Sequence, residues 1–435
     1  MQYHLFYMEL SAINKAFAVA LQHPTGIVQS VVPLPSSKSE SNRALIIAAL
    51  CNEACQLENL SKARDTQTMQ RLLSSSDEVL DVLDAGTTMR FLTAFCTITH
   101  RKSVLTGTSR MQERPIGILV DALRQIGADI SYEKNEGFPP IRINGFSPRQ
   151  NHVTIRGDVS SQYISALLMV APVIPGGLTL ELTGKIGSRP YIEMTLQLMQ
   201  RFGVSASWQG NSIHVPEQAY RAASYTVESD WSASGYWFSI AALASKANIQ
   251  LLGLKTDSLQ GDRIIIDIME RLGIKSDFTK DGLQLTKISH VDYFEWDFSN
   301  CPDLAQTIAV IGAAKGICMK LTGLGSLRIK ETDRLTALKT ELSRFGIATQ
   351  EVEGHTLYIH GNEATPLQAP LEMVRTYQDH RMAMAFAPLA LLYPLHIERP
   401  GVVEKSYPCF WEHLAAAGFS IQTIEKQSVD EHTTN

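Results

Sequence analysis

Apolar and polar positions repeat along this chain at intervals of about 70 residues. Five segments share one plan, in which an amphipathic helix ends at a glycine and a short strand follows. Because glycine adopts positive φ without a Cβ penalty, it is typical of the residue just past a helix end. These glycines lie 76, 70, 73 and 72 residues apart: Gly127, Gly203, Gly273, Gly346 and Gly418.

A second series of segments is almost wholly apolar and interleaves with the first. Each predicts a helix buried on all sides, with its polar residues gathered at the N-terminal end. The segments cover residues 38–50, 86–95, 160–172, 232–243, 303–314 and 379–392. Hairpins are predicted at 206–215, 276–288 and 349–361, where strand patterns flank a Gly- or Asn-containing turn. We therefore predict six units, each with one buried helix, one surface helix and several strands.

The starts of the buried helices indicate anion binding. Helix N-termini present free N–H groups and a positive dipole end, so six of them around one cleft would attract anions. Whether Ser160, Ser232 and Asp303 serve only as N-caps stays open. Arg43, Arg90 and Arg381 oppose the dipole, however, and each needs an anion nearby.

Composition narrows this picture. A chain of 435 residues exceeds one ordinary core, so two domains are expected. The net charge of −5, from 39 basic and 44 acidic residues, does not indicate nucleic acid binding. We expect a cytoplasmic protein, because the start of the chain lacks signal-peptide features and no apolar run spans a membrane. The six cysteines are scattered, which favours free thiols over a metal site.

Candidate functional residues cluster at the predicted helix starts. Lysine and arginine bind phosphate and carboxylate, and serine hydroxyls suit a phosphate cradle. There is no P-loop, dinucleotide fingerprint or serine-nucleophile pattern. The candidates are Lys38, Ser39, Arg43, Gly86, Arg114, Ser160, Ser161, Gln162, Ser188, Asp303, Lys330, Glu331, Arg334, Arg381 and Lys405.

Several short motifs occur in an order that resembles one enzyme family. KSESNR, AGTTMR, ERPIG, SSQY, SRPYI, PDLAQTIAV, RIKETDR and DHRMAM span about residues 30–415 and are similar to 5-enolpyruvylshikimate-3-phosphate synthases. The resemblance implies an α/β fold, a two-domain inside-out barrel of six βαβαββ repeats with buried helices pointing at the cleft. One half would be residues 36–228, the other 1–35 plus 229–435, with the active site between them.

The resemblance also implies the reaction. The enolpyruvyl group of phosphoenolpyruvate would move to the 5-hydroxyl of shikimate 3-phosphate by addition and elimination, in chorismate and aromatic amino-acid biosynthesis. Asp303, Glu331 and Lys38 would transfer protons. The resemblance implies that the reaction needs no metal or cofactor and that the protein is a monomer. Shikimate 3-phosphate would contact Lys38, Ser39, Arg43, Ser160, Ser161, Gln162, Ser188, Asp303 and Lys330; phosphoenolpyruvate would contact Lys38, Gly86, Arg114, Gln162, Arg334, Arg381 and Lys405.

Three positions depart from the family pattern, and two other functions stay open. Asp84 stands where Asn is usual and Phe91 where Pro is frequent, which bears on the binding of analogues such as glyphosate. Ser326 replaces a frequent Asn and is not assigned a contact. A sister enzyme acting on a UDP-amino sugar would use a mobile-loop cysteine, and residues 106–115 contain none. A non-catalytic anion-binding paralogue is the other alternative.

Overall fold

The computed structural model describes residues 12–361, 367–370 and 372–425. The predictions for the first eleven residues and for the polar C-terminal tail lie outside these ranges, apart from the start of that tail. Every helix within them is too short or too polar to cross a membrane. The helices are α1 Lys38–Leu50, α2 Arg64–Ser74, α3 Gly86–Ile98, α4 Ser109–Gln112, α5 Gly117–Gln125, α6 Ser161–Val170, α7 Arg189–Arg201, α8 Trp231–Leu243, α9 Ile265–Arg271, α10 Ala305–Ala314, α11 Arg334–Arg344, α12 His380–Phe386 and α13 Phe410–Ala416.

The strands are short and regularly spaced between these helices. They are β1 Ala18–Gln22, β2 Ile27–Pro33, β3 Gln56–Glu58, β4 Val79–Asp81, β5 Ser103–Thr106, β6 Ala128–Tyr132, β7 Ile141–Phe146, β8 His152–Arg156, β9 Leu178–Thr183, β10 Ser207–Gln209, β11 Ser212–Val215, β12 Ser224–Thr226, β13 Lys246–Leu252, β14 Ile274–Thr279, β15 Gly282–Lys287, β16 Tyr293–Asp297, β17 Cys318–Thr322, β18 Thr349–Val352, β19 Thr356–Ile359, β20 Leu395–Glu398 and β21 Ser420–Ile424.

Four sheets have the same strand order. They are β4-β5-β7-β6, β8-β9-β11-β10, β2-β13-β15-β14 and β16-β17-β19-β18. In each, the first two strands are parallel and the last two form an antiparallel hairpin. In three of these sheets the buried helix follows the first strand and the surface helix follows the second, because a parallel connection needs a crossover. Each of the three is a continuous βαβαββ unit. In the sheet β2-β13-β15-β14, the whole first core separates β2 from the buried helix α8 and from β13. The three predicted hairpins are confirmed.

Two further sheets complete the six units with strands from distant parts of the chain. In the sheet β20-β1-β21, Val374 pairs in parallel with Ile397, and β1 is antiparallel to both its neighbours. The two-stranded sheet joins β12 to β3 in parallel, so the unit of α1 and α2 takes a strand from 168 residues downstream. All five predicted helix-stop glycines have positive φ, as expected.

The apolar side chains form two separate cores. One core runs from residue 44 to residue 220, and the other combines residues 13–34 with residues 231–419. The buried helices α1, α3 and α6 belong to the first core, and α8, α10 and α12 to the second. The predicted boundaries at 36 and 228 lie in the segments between the cores, but the division into domains stays a prediction.

The two connections between the cores lie side by side. Ser36 and Ser229 pair as an antiparallel bridge. Beside them, the buried carboxylates of Glu40 and Glu228 each accept a hydrogen bond of 3.3 Å from Gln260 Nε2. Burial raises the pKa of both carboxyls above its usual value. A buried polar network thus links the two halves at their crossover.

Candidate active site

The starts of the six buried helices meet in one cleft between the two cores. Each of α1, α3, α6, α8, α10 and α12, or the turn just before it, contributes residues to the lining of its inner part. The predicted convergence of helix N-termini is therefore present in the fold. Representative lining residues, in chain order, are Lys38, Gly86, Gln162, Ser232, Asp303 and Arg381.

The cleft contains two adjoining cavities, an inner one of about 60 Å³ and an outer one of about 280 Å³. Gln162, Asp303 and Lys330 line both cavities. The inner cavity is also lined by Lys38, Ser39, Gly86, Arg114, Glu331, Arg334 and Arg381, and the outer one by Ser39, Arg43, Arg114, Ser160, Ser161 and Ser188. The predicted residues thus line two adjoining cavities and five of them line both, which suits two ligands in contact.

Lys405 is the one predicted site residue that lines neither of these cavities. It borders a third cavity of about 850 Å³, which shares Arg114 and Glu331 with the cleft. Its buried ammonium lies 3.0 Å from Asp84 Oδ2, 3.6 Å from Asp65 Oδ1 and 3.8 Å from Glu331 Oε1. The unusual Asp84 therefore contributes an additional ion pair to a cation at the cleft.

Arg43 and Arg90 are buried guanidinium groups whose hydrogen-bond partners are uncharged. Arg43 donates to Thr195 Oγ1 at 2.7 Å and Ser39 O at 2.8 Å, and Arg90 donates to Pro115 O at 2.9 Å. Among the described residues, no carboxylate lies within ion-pair distance of either group. Burial lowers the pKa of both to about 10. An isolated buried charge is costly, so this arrangement favours a bound anion as the counter-charge.

Phe91, the second unusual position, supports this arginine. The guanidinium carbon of Arg43 lies 5.3 Å from the centre of the Phe91 ring. A cation over an aromatic face is attracted by the ring quadrupole. Phe91 therefore influences the cleft through its contact with Arg43. Ser326, the third position that departs from the family pattern, lines the outer cavity.

Arg334 and Arg381, by contrast, already have acidic partners. Arg334 donates to Asp379 at 2.7 Å, to Glu331 at 2.8 Å and to Asp303 at 3.1 Å. Arg381 lies 2.8 Å from Asp303 Oδ2. The anion that Arg381 needs at its helix start is thus supplied partly by the protein. Arg334 mainly organises the carboxylates, a role that its position in the sequence does not indicate.

These arginines keep two cleft carboxyls ionised. Burial alone would raise the pKa of Asp303, but Arg381, Lys330 and Arg334 hold it far below its usual range. Burial is likewise outweighed at Glu331, where Arg334, Arg114 and Lys405 lower the pKa strongly. Both groups are therefore ionised and carry no proton.

Gly86 allows Arg114 to approach the start of α3. A Cβ at Gly86 would lie 2.8 Å from both terminal nitrogens of Arg114, which is closer than van der Waals contact permits. The glycine therefore fixes where the guanidinium sits at the boundary of the two cavities. The predicted close backbone approach at Gly86 is present, here to a protein side chain.

Ser188 lies at a point where the two halves touch. It has φ of 51°, in the left-handed region that non-glycine residues seldom adopt. Its backbone N–H donates to Ser299 O at 2.9 Å, across the cleft. A second such contact is made by Arg110, whose Nε donates to Glu331 O at 3.0 Å. The cleft is thus closed over by direct contacts at two places.

Several residues at the cleft were not among the predicted site residues. Asp65 accepts a hydrogen bond of 3.1 Å from Lys38 Nζ, and it starts a helix whose sequence pattern is weak. His380 stands in the Asp-His-Arg motif, and neither ring nitrogen has a hydrogen-bond partner within the described part of the chain. Burial, followed by the charge of Lys38, lowers its pKa well below the usual value. Tyr191 and Asp262 line the inner cavity and hydrogen-bond each other. No local pattern marks Asp262, because its surroundings come from distant segments.

Asp262 leads to a prediction about stability and pH. Burial, followed by the charge of Asp303, raises the pKa of Asp262 from 3.8 to about 7. The folded state therefore binds this proton more tightly than the unfolded state, so ionisation destabilises the fold above about pH 7, and the loss is relieved as pH falls toward 4. We expect Asp262→Asn to melt about 2–4 °C above wild type at pH 8, with the difference shrinking by pH 5. Calorimetry across this range measures it, and a pH-independent difference would contradict it.

Comparison with known proteins gives a consistent result. The family model described as EPSP synthase (3-phosphoshikimate 1-carboxyvinyltransferase) matches residues 23–76 and 70–414. A 3-phosphoshikimate 1-carboxyvinyltransferase of Bacteroides fragilis is 50% identical over 402 residues, covering 92% of this chain and 98% of that protein. One from Yersinia pestis is 36% identical over 422 residues, covering 90% and 97%. The solved structure of an EPSP synthase from Acinetobacter baumannii superposes with a TM-score of 0.73 at 19% identity, covering 93% of this chain and 100% of that one, which shows the shared fold.

Proposed function

The chain belongs to the EPSP synthase family, and we propose that its cleft transfers the enolpyruvyl group of phosphoenolpyruvate to the 5-hydroxyl of shikimate 3-phosphate. The observation that carries the proposal is the pair of buried arginines, Arg43 and Arg90, that lack an acidic partner among the described residues. Both substrates carry a phosphate and a carboxylate, so they supply the missing negative charge. The repulsion between the two anions is offset by the surrounding cations.

The two groups of cleft residues support separate places for the two substrates. We assign shikimate 3-phosphate to the outer cavity, where Arg43 lies near the serines of α6 and Ser188. Phosphoenolpyruvate is assigned to the inner cavity, near Lys38, Arg114 and Arg381, with Lys405 behind. Gln162 lines both cavities and would lie between the substrates. This arrangement brings the acceptor hydroxyl next to the phosphoenolpyruvate carbons.

The chemistry follows from two ionised carboxylates and a half-buried lysine that line the same cavity. In the addition, the 5-hydroxyl bonds to C2 of phosphoenolpyruvate, gives up its proton, and C3 gains one. In the elimination, the bond from C2 to the phosphate oxygen breaks, and C3 loses a proton to restore the double bond. Asp303 and Glu331 accept and return these protons, with Lys38 as proton carrier or charge stabiliser. Substrate charges would raise both carboxyl pKa values on binding, which helps them act as acids as well.

An acceptor panel tests this assignment. Wild type would be mixed with phosphoenolpyruvate and either shikimate 3-phosphate, a UDP-amino sugar or no acceptor, and phosphate release would be measured. We expect release with shikimate 3-phosphate alone and a strong loss in Lys405→Ala. Release only with the UDP-amino sugar would leave the fold and change the substrate. No release with either acceptor would favour an anion-binding protein.

Gly86→Ala is expected to weaken phosphoenolpyruvate binding selectively. The added methyl group would displace the Arg114 guanidinium, since it would lie 2.8 Å from both its terminal nitrogens. We expect KM for phosphoenolpyruvate to rise about tenfold, corresponding to about 1.4 kcal/mol, while KM for shikimate 3-phosphate changes little. Gly145→Ala is the matched control, because a Cβ there meets no atom within 4 Å. Equal increases in both KM values would contradict the account.

The monomeric state and cytoplasmic location stay predictions from the sequence. The family assignment supports a role in chorismate and aromatic amino-acid biosynthesis. Gel filtration with light scattering tests the monomer, and a dimer mass would reject it.

A further inference from the structure

Tyr191 and Asp262 form a hydrogen bond across the cleft. Tyr191 lies in the first turn of α7, which packs on the first core through Ile192. Asp262 lies in the single helical turn Gly261–Ile264, which leads into α9 on the second core. The Tyr191 hydroxyl donates to Asp262 Oδ2 at 2.8 Å. The bond therefore exists only while the two halves are together.

The backbone at this place is packed closely enough to require glycine. A Cβ at Gly261 would lie 2.2 Å from Pro190 Cβ, the residue just before Tyr191. Two further contacts join the same edges, because Ser188 N donates to Ser299 O at 2.9 Å and Arg189 N donates to Asn300 Oδ1 at 3.3 Å. The start of α7 is thus a contact surface between the halves.

Tyr191 also stands against the outer cavity. It lines both cavities, and its carbonyl oxygen accepts hydrogen bonds from Thr195 Oγ1 at 2.9 Å and from Arg43 Nη2 at 3.5 Å. Its position is therefore coupled to the arginine assigned to the acceptor substrate. Movement of the tyrosine would change the shape of the acceptor wall.

Asp262 itself is poorly suited to bind either substrate's charged groups. Asp262 is 6% exposed and lies within reach of the charges of Asp303, Arg381 and Asp230. Its Oδ1 has no hydrogen-bond partner among the residues that the structure describes. The ionised form of its carboxyl would repel phosphate and carboxylate. Its one hydrogen-bonded side-chain partner among the described residues is Tyr191. The structure therefore indicates an indirect role.

We propose that Asp262 is a positioning residue that fixes Tyr191 against the acceptor-binding wall when the two halves close. The proposal rests on the proposed function, because it takes shikimate 3-phosphate as the ligand of the outer cavity. Closure and acceptor binding are then coupled through one hydrogen bond between the halves. Losing it raises KM for shikimate 3-phosphate about fivefold to tenfold, as expected for one buried hydrogen bond.

The test compares four variants: Asp262→Ala, Asp262→Asn, Tyr191→Phe and the double variant Asp262→Ala with Tyr191→Phe. We expect Ala and Phe to raise KM for shikimate 3-phosphate by similar factors, and the double variant to be no worse than either. Asparagine still offers an acceptor oxygen, so Asp262→Asn recovers most of the loss. Tyr191→Phe leaves the charge at residue 262 in place and so separates the hydrogen bond from electrostatics.

Small-angle scattering gives a readout without chemistry. The shikimate 3-phosphate concentration that compacts the protein should rise in Asp262→Ala and Tyr191→Phe by the same factor as KM. Unchanged KM in both single variants, multiplying effects in the double variant, or an Asn variant as poor as Ala would overturn the proposal. If wild type compacts with shikimate 3-phosphate but transfers nothing, the proposed function fails while the coupling is still measured.

Discussion

Replacing Asp303 by asparagine is expected to lower kcat by about 10²–10⁴-fold, the usual contribution of one acid–base group. Asp303 is ionised, and its two oxygens lie 3.1 Å from Arg334 and 2.8 Å from Arg381. Asparagine does not accept the proton, and its NH2 group would take the place of one of the two oxygens that lie next to Arg334 and Arg381. Steady-state rates with both substrates saturating measure the effect.

Glu331→Gln is the companion experiment, because Glu331 is the other ionised carboxyl of the inner cavity. Asp292→Asn, at an exposed position of the same half, is the matched control and should keep normal turnover. Near-normal kcat in both Asp303→Asn and Glu331→Gln would show that neither carboxyl transfers protons. A loss in only one would show that the other carboxyl transfers no proton.

Replacing Arg43 by methionine is expected to raise KM for shikimate 3-phosphate by about 10²–10³-fold, because truncating a buried charged pair typically costs about 2–5 kcal/mol. The free protein should be as stable as wild type or more so, since a buried guanidinium without an acid is replaced by an apolar chain. Titration of ligand binding and thermal unfolding measure the two effects.

A loss of affinity without a loss of stability distinguishes the removal of an anion-binding group from a general disruption of the fold. Arg71→Met, on an exposed part of α2, is the control and should change neither quantity. If the Arg43→Met variant bound shikimate 3-phosphate normally, the main support for the anion site would be lost. A variant that loses both binding and several kilocalories of stability would indicate that Arg43 is chiefly structural.

The repeat in the sequence was sufficient to predict most of the fold. Gly127, Gly203 and their counterparts mark helix ends by a local backbone requirement, which a single sequence reveals. The exchange of strands was not visible in this way. Strand β12 is three residues long and pairs with β3 far along the chain, so its place depends on contacts that no local pattern encodes.

The sequence predicted which residues come together at the site better than it predicted the contacts that each of them makes. Helix starts at Lys38 and Arg381 are local features, so the convergence followed from the repeat. The charge partners are long-range: Asp65 reaches Lys405, and Asp379 reaches Arg334. The motif around Arg334 indicates a substrate-binding cation, yet three carboxylates surround it. Such pairings depend on how the halves fit together.

Phosphorus NMR of the wild type with both substrates tests the central claim most directly. The account predicts that the phosphoenolpyruvate signal falls while inorganic phosphate and a new phosphate monoester rise in equal amounts, and that neither substrate alone changes. Phosphate appearing without a new monoester, or release that does not need shikimate 3-phosphate, would contradict enolpyruvyl transfer in this cleft.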